Sequence, residues 1–156
     1  PRATSFTDCA AASAFVGAQD DLARLVTLHP QDAVAWSNLA ASRFWLGDLP
    51  GAIVAIRTSL HLNPGDLLAN VNLGAFLLTA GDIAGYEAQL AEVRALVESG
   101  TASAWERSWV VRTYPEALRA AAAVPGADVG AVERLRADLK ALLCEPDWVD
   151  CLEADL

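Results

Sequence analysis

The chain predicts an all-α protein built from stacked helix pairs, and three observations predict it. The segment from Ala33 to Asp66 carries Ala35-Trp36, Asn38-Leu39-Ala40, Gly47-Asp48, Ala52-Ile53 and Leu60-x-Leu62-Asn63-Pro64, and a weaker copy follows at once. A shift of 34 residues lays Asn38 on Asn72, Gly47 on Gly81, Asp48 on Asp82 and Gly51 on Gly85, together with Ala35 on Ala69, Leu39 on Leu73, Ala41 on Ala75 and Leu62 on Leu96. Between the Gly and Pro breaks, large apolar residues recur at helical spacing. Ala and Leu coincide easily in a chain rich in both, so the Asn, Gly and Asp matches carry the repeat.

The first segment, Thr4 to Val16, is Ala-rich with Phe6, Phe15 and Val16, and reads as a helix ended by Gly17. Gln19 to His29 places Leu22, Leu25, Val26 and Leu28 at helical spacing, and Pro30 lies one repeat before Pro64. In the clear repeat, helix A runs from Ala33 to Leu46 and stops at Gly47. Helix B follows from Pro50 to Leu62, with Asp48 at its N-terminus and Pro50 in the first turn, where a missing N–H costs nothing. The copy predicts helices over Leu67 to Ala80 and Ile83 to Val97, closed by Ser99-Gly100. Beyond Gly100 the motif fades. Thr101 opens a helix over Ala102 to Thr113, and Pro115 begins another through Val124. After a turn at Pro125-Gly126-Ala127-Asp128, Val129, Val132, Leu135, Leu139 and Leu142 form one stripe opposite Glu133, Arg134, Arg136, Asp138 and Lys140. That amphipathic helix suits the solvent-facing end of a repeat stack.

A 34-residue unit of this pattern resembles the tetratricopeptide repeat (TPR) family, over Ala33 to Glu98, with the flanks sharing only the helix rhythm. The resemblance implies a right-handed superhelical stack of antiparallel helix pairs, an α-solenoid, forming a single domain over residues 1–156. Its parts would be a degenerate first pair (4–32), the clear repeat (33–66), the second repeat (67–100), a degenerate pair (101–125), and a capping helix with an acidic tail (128–156). Three departures stand in the second repeat: Asn70 where the family prefers Trp, Tyr86 where a small Ala is usual, and Glu98 where Pro is usual. Tyr86 matters most, because a small side chain there lets the two helices approach closely.

By the same resemblance, Trp36, Leu39, Ala40, Ala52, Ile56 and Ser59, with Leu73 and Gly74 in the copy, are repeat core. The concave wall, where such proteins bind, would be Val34, Ser37, Ala41, Phe44 and Trp45, then Leu68, Val71, Ala75, Leu78 and Thr79. None of these is charged, whereas family members that grip a terminal carboxylate use Lys, Arg and Asn there. The expectation is therefore a protein–protein interaction scaffold, an adaptor that takes an apolar peptide or protein segment, with Phe44 and Trp45 as anchors. The protein's own terminal helices are the other occupant such a wall could have. Trp109 could extend the wall, while Trp105, one turn before it, is expected in the core. The alternative function is a regulatory or assembly domain of a larger protein that uses the same surface internally or for self-association.

Composition bounds the rest. A chain of 156 residues suits one domain that buries roughly two thirds of its unfolded surface. With 54% apolar and 20% charged residues it is no disordered chain. A net charge of −9 repels phosphate backbones and anionic headgroups, so no nucleic acid partner is expected. The longest uncharged run, Leu67 to Gly81, is too short to span a bilayer, so no membrane insertion is expected. The first residues lack the apolar core of a signal peptide, so the expectation is a cytoplasmic protein, or a periplasmic or secreted one if a leader was removed. The absence of Met points to a fragment or a processed chain.

Cys9, Cys144 and Cys151 fit no zinc spacing with His29 and His61, so neither metal nor cofactor is expected. Cys144 and Cys151 would be about 10.5 Å apart along a continuous helix, beyond disulfide reach, so free buried thiols are expected unless the chain breaks at Pro146. Gly-x-Ser-x-Gly, His-Glu-x-x-His and a phosphate-cradling loop are all missing, and both histidines sit near helix C-termini, where a cation is favoured structurally. The sequence offers no catalytic residue. Asp20-Asp21 and the acidic tail (Glu145, Asp147, Asp150, Glu153, Asp155) are read as solvated faces, with a basic partner as the sharper alternative. Within the tail, Trp148, Val149 and Leu152 point to docking.

Overall fold

The computed structural model describes residues 6–123 and 128–143. Among them every regular element is a helix: α1 (Phe6–Leu28), α2 (Ala33–Trp45), α3 (Leu49–Leu62), α4 (Leu67–Thr79), α5 (Ile83–Glu98), α6 (Ala104–Ala122) and α7 (Val129–Leu143). Two compact units divide the chain inside α4, one ending at Ala69 and the other beginning at Asn70. The expected roles of Cys144, Cys151, Trp148, Val149, Leu152 and the acidic tail lie outside the described residues, as do the side chains of Phe6, Cys9, Phe15, Leu139 and Leu142.

In the first unit α2 packs along α3 on one side and against α1 on another. Small residues make the closeness possible. Ala35, Ala40, Ala52 and Ala55 are buried with Leu39 and Ile56, and the buried Ser59 hydroxyl donates to the Ala33 carbonyl at 2.8 Å, tying α3 to the start of α2. The core thus combines small buried residues with a few large side chains.

The helix junctions repeat with the sequence. Gly47 and Gly81 both hold positive φ, 85° and 77°, a conformation that favours glycine. The Asp48 N–H then donates to the Arg43 carbonyl and the Gly47 N–H to Phe44, and the second junction makes the same two bonds from Asp82 to Leu77 and from Gly81 to Leu78. This double closure satisfies carbonyls that a helix end otherwise leaves unpaired. Each Asp next caps the following helix: Asp48 accepts from the Gly51 N–H at 3.0 Å and Asp82 from Gly85 at 2.9 Å. A Cβ at either glycine would collide with the capping carboxylate, which explains why Gly51 and Gly85 recur. Asp32 and Asp66 cap α2 and α4 in the same way, through Ala35 and Ala69.

In the second unit α7 packs on α6 and to a lesser extent on α5. Among its described side chains Ala131, Val132 and Leu135 are buried, whereas Val129, expected in the apolar stripe, is exposed. Asp128 caps α7 through Ala131, and Ser103 caps α6 with Glu106 in a reciprocal box.

Two expected helix breaks are absent. Gly17 does not end a helix: α1 is continuous, and the glycine sits in it without positive φ. A lone internal Gly costs about 1 kcal/mol, which Ala-rich flanks absorb when no left-handed turn and capping Asp follow. Pro115 likewise does not start a helix, because α6 runs through it. Val110, Tyr114, Ala117, Leu118 and Ala121 are buried on both sides of the proline at helical spacing, so packing outweighs the one lost backbone bond.

Trp36 is half-buried, and its indole N–H donates to the Pro30 carbonyl at 3.0 Å, which ties α2 to the turn before it. Trp36→Ala is therefore expected to cost less than the 3–5 kcal/mol typical of a fully buried indole. Asp48→Ala and Asp82→Ala are each expected to cost about 1 kcal/mol through the lost cap. Urea denaturation of the three variants measures all of these values.

Candidate functional site

On α2 exposed and half-buried residues form a stripe along one side of the helix. Val34 (62% exposed), Asn38, Ala41 and Trp45 (69% exposed) recur at three- and four-residue steps, which puts them on one side of the helix over roughly 16 Å. Ser37 and the half-buried Phe44 border the stripe. The Phe44 and Trp45 rings meet edge to face, 5.8 Å between centroids and 73° between planes, so the exposed indole has an aromatic neighbour on its own helix. Large apolar groups at both ends, with small or neutral residues between them, leave a shallow face without titratable groups. Arg43, the one cation on α2, turns away to the Gly51 carbonyl at 3.2 Å and lies 4.0 Å from the Asp48 carboxylate.

The wall expected on α4 is placed differently. Val71, Ala75 and Leu78 are buried, so their side chains offer no surface to a partner. Leu68 is half-buried and Thr79 is exposed, with its hydroxyl bonded back to the Ala75 carbonyl. Leu73 and Gly74 are buried, as are Leu39, Ala40, Ala52 and Ile56. Trp109 is half-buried and donates from its indole nitrogen to Asn72 Oδ1 at 3.2 Å, a tie between α6 and α4. Trp105, expected in the core, is 63% exposed and packs at 6.3 Å on the Trp109 ring. Asn70 is buried and accepts a hydrogen bond from the Gln89 side chain on α5.

Sequence reasoning did not find a second cluster, inside the second unit. Tyr86 on α5 and Tyr114 on α6 are fully buried and meet edge to face, 5.3 Å apart at 75°. Burial pushes both phenols well above their ordinary pKa, with the Asp138 carboxylate adding to the rise at Tyr86 and Tyr86 itself adding to that at Tyr114. The one sequence signal was Tyr86 standing where a small residue is usual. Its partner Tyr114 carries no motif. Elsewhere, the Ser103 hydroxyl and then its N–H hold the Glu106 carboxyl below the usual range, which stabilises the start of α6.

Compared with known proteins, the chain matches no family model, no curated protein and no solved structure. Among the described residues no group of three His, Cys, Asp or Glu side chains could hold a metal ion, and no helix is long and apolar enough to cross a membrane.

The tyrosine pair gives a pH dependence with a fixed sign. The folded pKa of each phenol lies above its unfolded value near 10, so stability is fully present below pH 10 and is lost as pH rises toward the folded value. Each tyrosine is expected to remove up to about 1.4 kcal/mol per pH unit in that window. Urea denaturation on either side of pH 10 should show this loss in the wild type and a flatter profile in Tyr86→Phe/Tyr114→Phe.

Proposed function

We propose that this chain is a TPR-like interaction module, a right-handed superhelical stack of antiparallel helix pairs ended by α7, that binds an apolar segment of a protein or peptide. The repeated junctions support the architecture: the same glycine conformation, helix closure and Asp cap recur 34 residues apart. The observation that carries the function is the outward stripe of α2. Isolated exposed apolar residues are ordinary on protein surfaces, but Val34 and Trp45 are aligned on one helix face, with an aromatic neighbour beside the indole. An exposed Trp presents a large apolar area, which suits a binding anchor. The face carries no nucleophile, acid or base, so recognition rather than reaction is the chemistry it supports.

An amphipathic helix laid along α2 would match the stripe with apolar residues at three- and four-residue steps, using Val34 and Trp45 as the two ends of the contact. Trp45→Glu and Val34→Glu are expected to reduce partner recovery in affinity capture at least tenfold while leaving the helical circular dichroism unchanged, since both side chains are exposed. Equal recovery by wild type and both variants would overturn the reading.

A further inference from the structure

In the second unit, two tyrosine side chains, from α5 and α6, meet beside the backbone of α4. The Tyr114 hydroxyl on α6 lies against the backbone of Gly74 on α4, where an added Cβ would come within 2.5 Å of the phenolic oxygen. The Tyr86 ring from α5 closes the other side of Tyr114. Neither hydroxyl has a hydrogen-bond partner among the described residues. A buried hydroxyl left without a partner costs about 1–3 kcal/mol, so the joint carries two such costs at one place. Directly beneath the Tyr114 oxygen stands backbone carbon, which can neither donate nor accept.

Holding α6 in place against those costs are its buried stripe, its packing against α7 and the bond from Trp109 to Asn72, a neutral side-chain pair that contributes about 1 kcal/mol. The first unit has no such conflict at its helix pair, because the buried Ser59 hydroxyl there is bonded to the Ala33 carbonyl. We propose that α6 is a releasable element: it swings off α4 and α5 as a local opening that hydrates the Tyr86 and Tyr114 hydroxyls together and uncovers the surface around Gly74. The segment before it suits a pivot, since Gly100 holds φ 74° and the Ser103–Glu106 box keeps α6 capped whether or not it is docked. Openings of this kind draw on the least stable part of a fold and need no global unfolding. This inference does not depend on the α2 stripe.

Hydrogen exchange of the intact chain tests it. Amides of α6 are expected to exchange faster than those of α3 in the wild type. Tyr86→Phe and Tyr114→Phe, which keep the rings and remove the hydroxyls, are each expected to slow α6 exchange roughly 5- to 30-fold with α3 unchanged. Gly74→Ala should do the reverse, accelerating α6 while α5 stays protected. Faster α6 exchange in either Phe variant, equal protection of α3 and α6 in the wild type, or loss of α5 protection together with α6 in Gly74→Ala would each overturn the proposal.

Discussion

Close approach of paired helices is the constraint on which the rest of the fold depends, and the two repeats meet it by different side-chain arithmetic. In the first, Ala40 and Ala52 are both fully buried on helices that pack together, with Ser59 bonded across to Ala33. One repeat later the same positions hold Gly74 and Tyr86. A ring replaces a methyl group, and overpacking of that size normally destabilises a core unless a neighbour gives way. Gly74 gives up its side chain, and Tyr114 from the following helix occupies the space against its backbone. Two phenolic hydroxyls are buried there without a hydrogen-bond partner among the described residues.

The parts of the fold that were legible in the sequence are those that backbone geometry dictates. Gly47 and Gly81 mark left-handed closures, Asp48 and Asp82 cap the next helices, and Gly51 and Gly85 make room for the capping carboxylates. Each role tolerates few residue types, so the repeat survives there while its packing positions drift. Gly17 and Pro115 misled because a single residue was read without its context. A glycine ends a helix when its neighbours complete the turn, and a proline breaks one when nothing beyond it is buried. Gly17 has no capping Asp after it, and the stripe from Val110 to Ala121 is buried on both sides of Pro115.

Charge was harder to read, because the same carboxylate can serve a helix or a partner. Asp32, Asp48, Asp66, Asp82 and Asp128 all accept from a backbone N–H three residues on. Each is used by the partial positive charge of a helix N-terminus, and much of the acidic excess among the described residues is thereby structural. Net charge alone overstates how far such a surface asks for a basic ligand.

The contrast between α2 and α4 shows why equivalent positions need not share a role. Helix α4 carries no charged residue and is apolar nearly all round, and a helix of that kind is stable only when covered on most sides. Its wall positions Val71, Ala75 and Leu78 are accordingly buried. Helix α2 interrupts its apolar residues with Ser37, Asn38 and Arg43, so one flank can face water at little cost, and Val34 and Trp45 project from that flank. The uncharged run from Leu67 to Gly81 contained this information. Carrying wall positions across by register treated both helices as amphipathic, whereas the polar residues within each helix decide which flank can stay open.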